Sequence, residues 1–172
     1  MLPKKIETAL NKQMNLELYS AYIYLSMSAY FDGINLDGFA HWMKLQAQEE
    51  LMHSIKIFDY ILERDGNVKL EAVKAPAATW KSPLDACQAA LKHEQLNTKE
   101  INGVMDLAFA AKDHASNTFL QWFVDEQVEE ESSANRLVER VKMVKDTGGG
   151  IFMLDRELAG RQAETQETGG SE

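Results

Sequence analysis

Glu50 and His53 lie three residues apart in the stretch Gln48-Glu49-Glu50-Leu51-Met52-His53. Residues three apart share one face of a helix. A carboxylate oxygen and an imidazole nitrogen can therefore reach one metal ion. Alone, the pair is a weak signal, because Glu and His at this spacing are common on solvated helix faces. Three more carboxylates strengthen it. Glu17, Glu94 and Glu130, like Glu50, each interrupt an otherwise apolar helical stripe. A charge on a core stripe is rarely buried unless it is paired or metal-bound. Four such groups at one place repel unless about two divalent cations offset them. This ligation is hard and oxygen-rich, unlike the thiolates of structural zinc sites or the carbonyl loops of calcium sites. Bridging carboxylates suit a pair of iron or manganese ions.

The elements that must bring these groups together are long helices. The first runs from about Lys4 to Phe31, with the stripe Ile6, Leu10, Gln13, Glu17, Ala21, Tyr24, Ser28, Phe31. Its other sides carry Tyr19, Tyr22, Ile23 and Met27, so it is apolar nearly all round and needs cover on more than one face. A short turn leads to the second helix, about Gly38 to Arg64, with Phe39, Met43, Gln46, Glu50, His53, Ile57 and Ile61 on one stripe. So short a connection makes the two antiparallel neighbours, and Asp65-Gly66 supplies the stop. Residues 67–81 have no period. Extended, they reach roughly 50 Å, against roughly 40 Å for the helices. They can cross the whole bundle and set the third helix parallel to the second.

Ser82-Pro83-Leu84-Asp85 opens the third helix with an N-cap Ser and Pro at the first turn. Lys112-Asp113-His114 breaks it, and a fourth helix runs to about Lys145. After Gly148-Gly149-Gly150, residues Ile151 to Arg161 form a short fifth helix, which must dock to be stable. Counted from the turns, Glu17 and Glu50 differ in level by roughly 5 Å, and Glu94 and Glu130 by about 2 Å. The expected fold is all-α: a four-helix bundle with one long crossover between helices 2 and 3 and a short C-terminal helix. One domain spans 1–164, and the polar tail 165–172 is expected to be disordered.

Composition bounds the partners. The chain has 172 residues and a net charge of -9, which disfavours nucleic acid. Its longest uncharged run, Leu18 to Phe31, is too short to span a bilayer. No apolar run follows Lys4-Lys5, so no secretory leader is expected. One cysteine, Cys87, fits a reducing cytoplasm and reads as a small buried hydrophobe. His41, His93 and His114 fall off the ligand line and are expected at the surface. Trp42, Trp80 and Trp122 read as packing.

With Glu17 and Tyr24, Glu50-x-x-His53, Glu94, and Gln127-x-x-Glu130 in hand, the chain resembles the non-haem ferritins of bacteria and archaea over Met1 to about Arg161. Ferritin-like di-iron bundles are themselves the standing example of such carboxylate sites. The resemblance implies a homo-oligomeric shell of two dozen subunits. It would oxidise Fe(II) with dioxygen or peroxide at a di-iron ferroxidase centre and store the ferric mineral. The fifth helix would then pack near four-fold axes. Glu17 and His53 would hold the first iron, Glu50 would bridge, and Glu94 with Glu130 would hold the second. Gln127 would hydrogen-bond a bound water or oxygen species. By spacing, Tyr24 is equally a core filler. The resemblance favours a hydroxyl that orients a ligand.

Glu49, Glu126 and Glu129 each precede a site residue by one position and share its ~100° rotation. The resemblance implies that they form a third iron site on the way to the cavity. No haem is expected. Bacterioferritins carry a haem-ligating Met directly after the motif's Glu, where this chain has Leu51. They also have a metal-binding His where this chain has Glu130. Many animal ferritins line a three-fold channel with acidic residues, whereas the matching region here offers Asp113, Asn117 and Gln121. The alternative is a rubrerythrin-like or other di-iron peroxidase without storage. The rubrerythrin type needs a cysteine-rich iron domain that one cysteine cannot supply.

Overall fold

A computed structural model describes residues 1–147 and 149–162. The expected tail, 165–172, lies outside the described residues. Five helices follow in order: α1 (Lys4–Gly33), α2 (Asp37–Glu63), α3 (Pro83–Ala110), α4 (His114–Val144) and α5 (Gly150–Leu158). The described residues contain no strand, and none of their helices is long and apolar enough to cross a membrane. α1 packs on α2, α3 on α4, and α1 on α3. This is the expected four-helix bundle, with its crossover between α2 and α3 and a fifth helix at the end.

Local chemistry accounts for the helix ends. Ser82 accepts from Asp85 N at 3.1 Å, and Asp85 accepts from Lys81 N at 3.0 Å. The two side chains thus cap the start of α3 reciprocally. Asp113 caps α4 through Ser116. The left-handed turns after α1, α2 and α3 do not fall on glycine. α1 continues to Gly33, and the left-handed residue after it is Asn35, with φ 60°. After α2 it is Asp65 (φ 55°), not Gly66, and after α3 it is Lys112 (φ 54°). Asn and Asp tolerate this region better than most residues.

The crossover is held by side chains of α1. Asn11 donates to the Asn67 carbonyl at 2.9 Å and accepts from Lys69 N at 2.6 Å. One turn on, Asn15 donates to the Lys69 carbonyl at 2.8 Å and accepts from Glu71 N at 2.9 Å. Each amide thereby mimics a strand partner, satisfying backbone groups that would otherwise rely on water. Further along, Ser26 donates to the Ala77 carbonyl at 2.7 Å.

The core is divided. One apolar cluster gathers Tyr24, Met27, Phe31, Phe39, Trp42, Met43, Leu137, Val141, Leu154 and Leu158. The other gathers Ile6, Leu10, Met14, Ile57, Ile61, Ile101, Met105, Leu120 and Phe123. Full burial of each large apolar side chain contributes about 1.5–3 kcal/mol. Between the clusters lie the carboxylates. Among the described residues, no Cα of α2 approaches α4 within 8 Å, so these helices meet through side chains. Tyr60 stacks on Phe119 at 3.8 Å, and Arg64 pairs with Asp113 at 3.2 Å.

α5 docks on its own bundle. Leu154 and Leu158 enter the first cluster, and Asp155 accepts from Phe39 N at 2.9 Å. The close approach depends on Gly38: a Cβ there would lie 1.7 Å from the Asp155 carbonyl oxygen and 3.0 Å from Ala159 N. Both are backbone atoms and cannot swing aside. Gly38→Ala is therefore expected to push α5 off while the four long helices persist, at a cost of about 1–3 kcal/mol. Limited proteolysis across residues 145–150 should speed up. Cleavage as slow as in the unsubstituted protein would contradict this account.

Candidate metal centre

Each of the four long helices delivers one carboxylate to the polar layer. Glu17, Glu50 and Glu94 are at most 1% exposed, and Glu130 is 9% exposed. Ligand atoms of Glu17, Glu50 and His53 all lie within 4.8 Å of one another. Among the described residues this is the one group of three or more acidic, His or Cys side chains so arranged. His53 Nδ1 sits 3.7 Å from Glu50 Oε2, as the three-residue spacing on α2 requires. Neither Glu50 oxygen accepts a hydrogen bond from a described residue. A buried carboxylate without donors is costly, and two carboxylates with an imidazole are a donor set suited to a divalent cation.

Neutral groups hold the other carboxylates. Glu17 accepts from Gln13 at 2.8 Å and from Asn97 at 2.9 Å, while Gln13 also donates to Asn97 at 2.6 Å. Glu94 accepts from the Tyr24 hydroxyl, and its other oxygen lies 3.4 Å from Gln127 Nε2. Gln127 also reaches Thr98 Oγ1 at 3.3 Å. Glu130 accepts from Gln46 at 2.7 Å. The His53 ring stands edge-on to Trp122, 5.3 Å between centroids, and Lys56 sits over the same indole at 4.1 Å.

Burial and mutual repulsion govern the protons. Burial pushes Glu50 well above the usual carboxylate range, and the charges of Glu94 and Glu17 add to this. Burial raises Glu94 to about 7, although hydrogen bonds from Tyr24 and Gln127 work against it. Glu130 reaches about 8 through burial and the charges of Glu94 and Glu49, opposed by Gln46 and Arg161. Tyr24 is pushed far up by burial and by the surrounding Glu94, Glu130 and Glu50, so its hydroxyl keeps its proton and donates. A cation in this layer would reverse the balance and expel protons.

The anticipated third set is arranged differently from the pair. Glu49 is ion-paired with Arg161 at 2.9 Å, Glu126 is half-buried and Glu129 exposed. The three do not converge to chelating distance as Glu17, Glu50 and His53 do. The surface expectation fails for His93, which is only 9% exposed and hydrogen-bonds Ser20 of α1 at 2.7 Å. Its burial comes from that long-range partner, not from its own helix pattern. His41 is half-buried against the Arg161 carbonyl, and His114 is exposed. Cys87 is buried as expected, and burial raises its thiol to about 12. Gln13 and Gln46 stood on the apolar stripes as polar interruptions, which was a usable signal. Asn97 and Arg161 gave none.

The Ferritin-like domain family matches residues 7–144. The chain is 40% identical to a bacterial non-heme ferritin of Bacteroides fragilis over 161 residues, covering 94% of this chain and 100% of that protein. It is 38% identical to a bacterial non-heme ferritin of Campylobacter jejuni, covering 91% and 93%. Two solved structures of Archaeoglobus fulgidus ferritin superpose with a TM-score of 0.93 at 48% identity. One is described as an engineered closed form, covering 95% of this chain, and one as an open pore ferritin, covering 94%. Each covers 100% of its own chain.

The raised carboxyl groups predict how the metal-free protein responds to pH. Folded Glu94 and Glu130 titrate at about 7 and about 8, above their ordinary 4.5. Between those limits the folded chain binds more protons than the unfolded one, so the stability from these groups falls as pH rises. It is fully present below about 4.5 and lost through 7 to 8. Urea unfolding of metal-free protein should show a lower midpoint at pH 8.5 than at pH 6. Fe(II) added under argon at pH 8.5 should raise the midpoint again. A metal-free midpoint that climbs from pH 6 to 8.5 would contradict the electrostatics described.

Proposed function

The chain belongs to the ferritin-like family, and on that premise we propose that it stores iron, oxidising Fe(II) at the four-carboxylate layer and keeping the ferric product inside a shell of its own copies. The observation that carries this reading is Glu50: wholly buried, with no donor to either oxygen, and facing Glu17 and His53. Such a group is destabilising until a cation bridges it.

Iron is the substrate. Glu17 and His53 hold one Fe(II), Glu94 and Glu130 the other, and Glu50 spans both. Two Fe(II) ions give up two electrons, which convert one dioxygen and two protons to hydrogen peroxide, or one peroxide and two protons to water. The carboxylates release protons as iron binds, and they hold the charge that favours Fe(III) over Fe(II). Tyr24 fixes the orientation of Glu94. The Gln127 amide, buried beside Glu94, would donate to a bound water or oxygen species. Glu49, Glu126 and Glu129 take a third iron during transfer inward.

Aerobic addition of Fe(II), followed by ultraviolet absorbance, tests the chemistry. Rapid oxidation of about two Fe(II) per chain is expected, with Glu50→Ala and His53→Ala both slowed by at least tenfold while remaining helical. Single first-ligand changes at metal sites cost at least this much. Unchanged rates in both variants would remove the site assignment.

Assembly is supported by what the isolated chain leaves uncovered. Tyr22 and Leu25 on the outside of α1 are 52% and 49% exposed, and Phe152 and Met153 of α5 are 60% and 77% exposed. Apolar groups so placed are covered when copies associate, and a closed homo-oligomer of 24 copies is the expected form. Light scattering should show a large particle, favoured by salt that screens the net charge of -9. Monomer or dimer alone at every salt concentration would exclude the shell.

A further inference from the structure

Arg161 comes after α5, outside the helices that supply the carboxylates, yet its side chain reaches back to α2. One guanidinium nitrogen donates to both oxygens of Glu49, at 3.1 and 2.9 Å. Another donates to Gln46 Oε1. The guanidinium lies 4.8 Å from the centroid of Trp42, and the Arg161 carbonyl meets His41 Nε2 at 2.9 Å. The ion pair is largely covered, at 22% and 16% exposure.

This contact also sets Gln46. A side-chain amide has one acceptor end and one donor end. With its oxygen taken by Arg161, Gln46 turns its nitrogen to Glu130, where it donates at 2.7 Å. Beyond burial, the Glu49 charge raises Glu130 and Arg161 lowers it, so all three share one electrostatic neighbourhood.

We infer that Arg161 is a displaceable counter-cation for Glu49: it occupies the carboxylate that a third metal ion would use, and that ion must move it aside. This rests on the three-ion reading above. Both Glu49 oxygens accept from the same guanidinium nitrogen, so a metal ion ligated by either one meets a like charge already seated on that carboxylate and competes with it. Anchoring α5 does not require the contact, because Leu154, Leu158 and the Asp155–Phe39 bond already do so. A tethered cation competes at constant effective concentration. It keeps the third position weaker than the pair, so the pair fills first and iron does not stall at Glu49. When the ion leaves inward, Arg161 returns. By linkage, whatever loosens Arg161 tightens the third ion equally.

The test is anaerobic Fe(II) calorimetry on the assembled full-length protein, comparing it with Arg161→Gln and Arg161→Lys. The weakest of three binding steps should tighten about five- to tenfold in Arg161→Gln, the scale of one partly exposed ion pair. It should stay near the unsubstituted value in Arg161→Lys, which keeps the charge. The two tighter steps should barely move. A role limited to tethering α5 predicts faster hydrogen exchange over 150–158 in Arg161→Gln without any change in the weakest step. Three steps with the weakest unchanged in Arg161→Gln would overturn the inference and leave the three-ion reading standing. Two steps in every variant would overturn both. Crystals of the unsubstituted protein soaked anaerobically in Fe(II) need no variant. Metal on Glu49 with Arg161 swung away is expected, and metal on Glu49 with both Arg161 contacts kept would refute the inference.

Discussion

Four carboxylates in one dry layer cannot all carry charge without a cation among them. Desolvation and mutual repulsion both oppose ionisation there, as the upward shifts of Glu50, Glu94 and Glu130 express. Position is nevertheless fixed. Gln13, Asn97, Tyr24, Gln127 and Gln46 donate hydrogen bonds to Glu17, Glu94 and Glu130, and all are neutral. A lysine or arginine in their place would hold the geometry equally well but cancel the charge. Neutral donors orient the oxygens and leave their charge for metal. Arg161, the cation nearby, contacts Glu49 and Gln46 and makes no direct bond to the four.

The rest of the fold tolerates this layer by confining it. Apolar clusters above and below supply the stability that the polar layer withholds. α2 and α4 face each other across side chains alone, among them the Gln46–Glu130 hydrogen bond within the polar layer. Further along, the Tyr60–Phe119 stack and the Arg64–Asp113 pair close the seam. Desolvation by Trp122 and Phe123 limits water around His53.

The carboxylates were legible because each breaks an apolar period of 3.6, an anomaly local to its own helix. The crossover was legible from its length alone. Asn97 and Arg161 were not, because their partners come from other helices, at sequence separations no period encodes. His93 was misjudged for the same reason: Ser20, 73 residues away, makes its burial tolerable. Asp65 and Lys112 lie within the expected breaks Asp65-Gly66 and Lys112-Asp113-His114, yet which residue takes the left-handed turn was not legible: it is Asp65 rather than Gly66, with Asn35 and Lys112 at the other two turns. Backbone hydrogen bonds to the preceding turn hold those residues there, outweighing the modest preference for glycine.

The crossover carries a consequence for how such chains diverge. Asn11, Asn15 and Ser26 grip its backbone and ignore its side chains, most of which face outward. Val68 and Trp80 pack against the two apolar clusters, but substitutions at the exposed positions between them that leave the main chain in place therefore meet little resistance from the fold. Drift can rewrite the chemistry of that outer strip while the grip on α1 persists. Selection on two asparagines of the first helix would thus preserve the path of a loop more than fifty residues downstream, whatever residues the loop comes to carry.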